Sequence, residues 1–557
     1  MDLTKDKRFL NHLINCIPES AYNYRLSSYT IILEAWRRGL SVDYQLNIDK
    51  AGTLIPNFYI SNKEKTHKFN ISTGDTVSAK AKKIVKNKHL TKEYLRKAGV
   101  NTPEGEFFES DITDEEIVAY SNKVGYPLVV KPPIGFAGKG VIANIKNEQE
   151  MRSTLKYIRN QLNYKTVIVE KHFYGEDHRF YVINDKVIGV IKREPASVKG
   201  NGTDTIETLL NLKNKDRKKI LSITNKPIIV NAETREQLRK IGYTMQSIPK
   251  EGEVVFLKSK SNISAGGEAV DVTDDIPEEM IQLAIDATKA IPTLVQAGVD
   301  IMINSEDNTG VVLEINSRAS IRSHVYPSYG KARDIPSAII DHYFPETKSY
   351  NREEAKQLYI DYDYLFGSSL SRNAARIKLP EFPSLPIALK RYVISGCSYT
   401  EKLAARIRKL AFNNRLNGYI KPINNSIVVV VGGNDDKVNL FYEQFNRYIK
   451  KVSKGAKITT KPRTTPISHG FKIIDQNFVK VNQSRASKND LDKYSNLQNE
   501  YHKLQKKLAK YEQKESIMNI TKKQNLQLKK RLNHMEKSTS WKVTQPIRSL
   551  GKFRKKD

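Results

Sequence analysis

The chain has 557 residues, a length that suits three or four folded units and excludes a single small binding module. Lys and Arg number 93 against 61 Asp and Glu, a formal net charge of +32, so the expected partners are anionic: nucleotide, polyphosphate, acidic glycan, nucleic acid or a membrane surface. Two cysteines, Cys16 and Cys397, exclude a disulfide scaffold and a Cys-rich zinc site and fit a reducing cytosol.

In chain order, the opening MDLTKDKRFLNHLINC carries charge every few residues and has no apolar stretch of signal-peptide length, so secretion is not expected and a cytoplasmic location is. Residues 1–86 read as a subdomain attached to a larger mixed α/β domain at 87–346. There, strand-like runs (128–130, 167–170, 187–191, 311–315) alternate with helix-length stretches. A connector rich in Ser, Pro and charge covers 347–386. Residues 387–474 then follow a strand–helix–strand–strand–helix–strand order, a ferredoxin-like α+β plan. Its run Ile427 to Val431 is the most apolar of the chain. It is strand-length and far short of the roughly 20 residues a membrane-spanning helix needs. From 475 the composition changes. Leu491, Tyr494, Leu497, Tyr501, Leu504, Leu508 and Tyr511 recur at three- and four-residue steps, which predicts a coiled-coil tail that self-associates. Residues 476–557 hold 21 Lys and Arg against 7 Asp and Glu, nearly half of the surplus charge.

The chemistry-bearing motifs lie in the large α/β part. Lys131 ends the apolar run Leu128 to Val130 and opens the loop Gly135, Gly138, Gly140. A lysine fixed at a strand end meets a phosphate, and glycines let backbone N–H groups approach its oxygens. Neither a Walker A loop nor the Rossmann fingerprint is present. Val167 to Glu170 followed by Lys171 and His172 offers an apolar strand with a polar end, suited to an adenine. The bland alternative is a core strand. Glu314 and Asn316 are two apart and share a strand face, and with Asp300 they form an oxygen-rich set for Mg²⁺. Acids alternating on a strand are otherwise a solvated face.

With these motifs in order, residues 22–346 resemble the ATP-grasp ligases, most closely the ATP-grasp module of cyanophycin synthetase and of bifunctional glutathione synthetases. The resemblance runs from Asn87-Lys88-His89 through Val129-Val130-Lys131-Pro132, Glu170-Lys171-His172, Gly175-Glu176-Asp177-His178-Arg179 and Lys192-Arg193-Glu194-Pro195. It continues in Ser264-Ala265-Gly266-Gly267, Leu313-Glu314-Ile315-Asn316 and Arg322-Ser323-His324. It implies ATP and Mg²⁺, with Mn²⁺ as a substitute, as cofactors. Lys88, Lys131, Gly135, Gly138, Gly140, Glu170, Lys171, His172, Asp177 and Lys192 would be at the nucleotide, and Asp300, Glu314 and Asn316 at the metal. It also implies catalytic roles for Lys131, Arg193 and Arg318, and substrate contacts from Arg179, Ser264, Gly266, Gly267, Arg322 and His324. Arg179, Arg193 and Arg318 have a structural ion pair as the equal alternative.

The implied reaction converts a carboxylate to an acyl phosphate that an amine then displaces, leaving ADP. The expected donor is an amino acid or peptide. Neither the Mur-ligase-like module of cyanophycin synthetase nor the cysteine-ligase module of the glutathione enzymes is recognised, so neither whole pathway is expected. The 387–474 unit resembles acylphosphatase in strand order. Its first loop, Gly396-Cys397-Ser398-Tyr399-Thr400, lacks the phosphate-binding Arg, and Pro422 stands near the expected Asn, so a binding or docking role is expected there. The terminal stretch from Ser538 through Trp541 and Pro546 to Arg548 resembles a motif on bacterial enzymes that build surface polysaccharides and teichoic acids. It suggests a glycan amine as acceptor and peripheral contact with an anionic membrane at its inner face. No specific nucleic-acid partner is expected. Two alternatives are a cyanophycin-like or dipeptide ligase, and a non-catalytic nucleotide-binding scaffold for envelope assembly.

Overall fold

The run Leu26–Arg37, LSSYTIILEAWR, forms a helix whose twelve residues are all buried. A helix apolar on every face belongs inside a core, not on a surface. In the computed structural model, which describes residues 3–48, 54–134, 140–263, 266–363, 365 and 376–474, this helix packs on an antiparallel sheet. The sheet order is Ile377–Lys378, Ser41–Ile48, Leu54–Ser61, Thr66–Asn70, Thr73–Gly74. The polar groups that the helix carries inside are satisfied. Arg37 donates to the carbonyls of Leu358 and His12, and Glu34 pairs with Arg38 at 2.8 Å and Arg352 at 2.9 Å.

The stretch expected as a connector, 347–386, is woven into the fold. Leu358–Tyr359 pairs in parallel with Ile467–Ser468, and Ile377–Lys378 adds to the edge of Ser41–Ile48. Trp36 donates its indole N–H to the Pro380 carbonyl at 2.7 Å and meets the Phe382 ring edge-on. Such two-residue strands have no periodicity of their own; a distant partner creates them.

Two sheets carry the centre of the chain. One is four-stranded, in the order Gly105–Phe108, Val167–Lys171, Leu128–Lys131, Ile142–Ile145. The other is antiparallel and five-stranded: Glu268–Asp271, Lys186–Glu194, Glu176–Ile183, Gln296–Asn304, Thr309–Asn316. The helices Ala79–Lys86 and Glu278–Lys289 pack their apolar faces on the second sheet. Between them in sequence, Ser197–Lys199 and Val254–Phe256 pair and enclose a small core with the helices Ile206–Arg217 and Ala232–Lys240. This lobe was not foreseen as a unit.

Residues 387–473 adopt the expected βαββαβ order, with strands Ile387–Ser395, Asn417–Ile423, Ser426–Asn434 and Lys457–Pro462 and helices Glu401–Asn413 and Asp435–Val452. The strands lie in the order fourth, first, third, second. The central strand Ser426–Asn434 is apolar on both faces because both are covered. Ile427, Val429 and Val431 meet the two helices, while Val428 and Val430 join the core of the N-terminal helix. Among the described residues no helix is long and apolar enough to cross a membrane. The expected coiled coil and terminal motif lie outside the described residues, as do Gly135, Gly138 and Ser264.

Candidate active site

Strand register brings three charges together at one end of the four-stranded sheet. Lys131 ends Leu128–Lys131, Glu170 stands one residue before the end of the adjacent Val167–Lys171, and Lys92 projects from the helix Lys88–Lys97. All three are buried. The Lys131 ammonium is 2.8 Å from Glu170 Oε2, and the Lys92 ammonium is 2.6 Å from Oε1. Burial alone would raise the Glu170 carboxyl, but the charges of Lys131 and Lys92 outweigh it and hold the group below its ordinary range. Burial, aided by Lys131, brings Lys92 down to about 8. Two ammonium groups to one carboxylate leave about one surplus positive charge in a site shielded from water, a setting in which a bound anion is strongly favoured.

Lys88 joins this sheet to the second one. Its backbone N–H donates to the Pro133 carbonyl at 3.0 Å, at the mouth of the glycine loop, while its ammonium lies 3.2 Å from Glu314 Oε2. Asn87 caps the helix by accepting from the Leu90 N–H, which fixes Lys88 at its first turn. Gly140, at the far end of the loop, has φ +75° with Tyr164 and Pro132 packed where a side chain would go, so glycine is required there. Asp300 and Glu314 are cross-strand partners, and with its amide turned the Asn316 N–H donates to Glu314 at 3.3 Å while its oxygen accepts from Arg179 at 3.2 Å. The structure thus assembles Lys88, Lys131, Gly140, Glu170, Asp300, Glu314 and Asn316 around the facing ends of the two sheets. His172 also fits: its Nδ1 is buried with no hydrogen-bond partner, a polar atom left for a ligand edge.

Several of the expected site residues are engaged within the fold. Arg179 forks onto Asp300 at 2.5 and 2.6 Å, and Arg193 spans Asp300 at 2.7 Å and Asp177 at 3.1 Å. Two arginines and two carboxylates thereby neutralise one another, and Asp177 is held by Arg193 and Ser261. Asp300 has given both oxygens to arginine, whereas Glu314 keeps 31% of its side chain exposed and is the more accessible oxygen donor. No group of three or more His, Cys, Asp or Glu able to hold a metal ion occurs among the described residues.

Lys171 is also spent on the fold, its ammonium donating to the carbonyls of Val124 and Gly125, and Lys192 pairs with Glu176 and Glu194. His324 is completely buried against Tyr181 and Gly189, beneath the arginines, and touches no open space. It supports the site from behind. Arg318 is exposed at the strand end and donates to Asn70, with no carboxylate partner among the described residues.

Two further cations lie close together. The Arg322 side chain is half-buried and has no hydrogen bond or ion pair among the described residues, and burial lowers its pKa. Lys226 is brought down to about 8 by burial and then by the charges of Arg322 and Arg217. Two uncompensated cations so placed suit a carboxylate. Next to them Gly266, at φ +108°, packs on Ile228, and the Gly267 carbonyl accepts from Arg217. Lys226 escaped the sequence reading because its segment, Thr224-Asn225-Lys226-Pro227, looks like a plain turn.

Residues 85–225 match the RimK-like ATP-grasp domain and residues 208–320 an ATP-grasp domain. The cyanophycin synthetase of Synechocystis is 33% identical over 266 residues, 46% of this chain and 30% of that protein. The glutathione biosynthesis bifunctional protein of Clostridium perfringens is 30% identical over 329 residues, 57% of this chain and 40% of that protein. The solved bifunctional glutathione synthetase from Pasteurella multocida aligns with 52% of this chain and 40% of its own at 27% identity, with a TM-score of 0.42. The chain spans about a third of the length of the curated relatives it matches.

Proposed function

We propose that this chain, which carries an ATP-grasp domain over residues 85–320, is an ATP-dependent carboxylate–amine ligase acting on an amino acid or short peptide. The observation that carries the reading is the buried Lys92–Glu170–Lys131 set with its surplus positive charge, facing Glu314 and Asn316 across the bridge made by Lys88. Lys131, Lys88 and the backbone near Gly140 hold the phosphates, His172 meets the base, and Glu314 and Asn316 supply oxygens to Mg²⁺, with Asp300 behind them. ATP with Mg²⁺ supplies the phosphoryl group that activates the carboxylate. The protein's share is positioning and fixed positive charge, which phosphoryl transfer needs more than a side-chain nucleophile. Lys226 and Arg322 hold a carboxylate of the substrate, and the exposed Arg318, bonded to Asn70 and paired with no carboxylate among the described residues, is a third cation for the transferring group.

A glycan amine as acceptor rests on the terminal motif alone. An amino acid or peptide amine is the reading that the relatives' names favour, and a cyanophycin-like or dipeptide ligase is compatible with it. The test is ADP release with ATP and Mg²⁺ across amino-acid donors, each with amino-acid and amino-sugar acceptors. Turnover that Glu314→Gln abolishes while leaving the fold intact supports the ligase. Nucleotide binding with no Glu314-dependent turnover in any pairing would favour the scaffold.

A further inference from the structure

A cavity of about 1180 Å³ lies away from this site, at the 387–473 unit. It opens where the C-terminal end of the helix Glu401–Asn413 meets the segment Pro380 to Ser384 and the start of the helix Asp435–Val452. The first loop of the unit, 396–400, is at the other end of Glu401–Asn413, about 20 Å away at 1.5 Å per residue. The cavity is therefore separate from the loop where an acylphosphatase would bind phosphate.

Four cations, Arg408, Lys409, Arg415 and Lys437, line it against one acid, Glu381. Among the described residues none of the four side chains has a hydrogen-bond or ion-pair partner, and all four are exposed. Cations gathered around one concavity make a positive potential that favours an anion there. Arg415 adds an independent sign. It has φ +53°, the left-handed conformation that ends a helix and that glycine adopts without cost. A long cation there is uncommon, and Arg415 stands on the rim of the cavity.

The rest of the lining mixes aromatic and apolar side chains with asparagines. Phe412 is 78% exposed, an unusual state for a large aromatic, and Phe382 and Phe471 stand around the same space. The frame is built: Asn414 is buried and bonded to Leu410 and Gln444, Asn417 accepts from the Gly470 N–H, and Asn434 donates to the Ser384 carbonyl.

We infer that this cavity is a second nucleotide site, taking a nucleoside phosphate with its base against Phe412 and its phosphates among Arg408, Lys409, Arg415 and Lys437. Aromatic faces for the base and unpaired cations for the phosphates are the two parts such a ligand needs, and the volume is ample for it. The site does not depend on the ligase reading, because it lies outside the ATP-grasp domain.

The test titrates a fluorescent ADP analogue into the full chain and counts sites. The wild type should bind two equivalents, Lys131→Ala one, and Lys131→Ala combined with Arg408→Glu and Arg415→Glu none. Phe412→Ser, at a position too exposed to matter for folding, should weaken the second site tenfold or more while leaving the first unchanged. One equivalent in the wild type, indifferent to Arg408, Arg415 and Phe412, would overturn the inference. So would loss of phosphatidylglycerol-vesicle binding in the Arg408→Glu, Arg415→Glu chain with nucleotide stoichiometry unaltered, which would assign the cavity to a lipid.

Discussion

Glu170 and its two lysines give the sharpest tests at the level of single side chains. Removing the one carboxylate leaves two buried ammonium groups facing each other, so Glu170→Gln should destabilise the fold by about 3–5 kcal/mol, measured by urea unfolding. Lys131→Met leaves Glu170 with Lys92. It should weaken ATP binding tenfold or more in calorimetric titration, while its loss of stability should be smaller than that of Glu170→Gln. The same logic gives a pH signature on the substrate side. Lys226 has its folded pKa lowered to about 8 and is charged below that value, so the Michaelis constant for a carboxylate substrate should rise about tenfold per unit as pH climbs past 8. Lys226→Arg should flatten that profile. A Michaelis constant that stays level from pH 7 to 9.5 in the wild type would contradict the assignment. Much of this site was legible in the sequence, because Lys131, Glu170, Glu314 and Asn316 lie at strand ends that their own apolar runs define. The fate of Arg179 and Arg193 was not, because it depends on Arg179 standing opposite Asp300 across a pair of strands 121 positions apart in the chain.

Helices and strands with strong local periodicity fall where the sequence places them. The first helix of the expected order in the 387–474 unit is Glu401–Asn413, with Thr400 accepting from the Leu403 N–H as its cap, and the apolar run at 427–431 lies inside Ser426–Asn434. The connector failed as an expectation for the opposite reason. Its strands exist only because Ser41–Ile48 and Ile467–Ser468 offer them edges. Trp36 is the hinge of that interweaving, buried in the N-terminal helix and bonded to Pro380. Trp36→Ala should cost about 3–5 kcal/mol of stability, and Trp36→Phe about 1 kcal/mol for the lost hydrogen bond with partial repacking, both read from chemical denaturation. Equal, small losses for the two would show that the 380–382 segment is not anchored through the indole.

Across the whole molecule, buried histidines set the response to acid. His12 and His324 are each lowered to about 3, chiefly by burial, and so are neutral in the fold. The unfolded chain protonates them near 6.5, so the stability they lend is present above pH 6.5 and is lost as pH falls toward 3. Each contributes about 1.4 kcal/mol per pH unit across that window. Asp334, raised to about 6 by burial and by Glu34, works against this below pH 6, because the fold then takes up its proton more readily than the unfolded chain. These three groups together predict a loss of about 2–3 kcal/mol between pH 7.5 and pH 5, seen as a lower urea midpoint, and His178 and His469, also lowered by burial, add to it. An unchanged midpoint would contradict the buried neutral histidines.

The central claim is that the surplus positive charge at Lys92, Glu170 and Lys131 serves phosphoryl transfer to a carboxylate. It is tested most directly by ADP release with ATP and Mg²⁺ over a panel of amino acids and dipeptides, with and without amine acceptors, using Lys131→Ala as the blank. The account predicts release that needs a specific carboxylate, rises with an amine acceptor and vanishes in the blank. Release that is the same with and without any carboxylate, or that survives in Lys131→Ala, would contradict it.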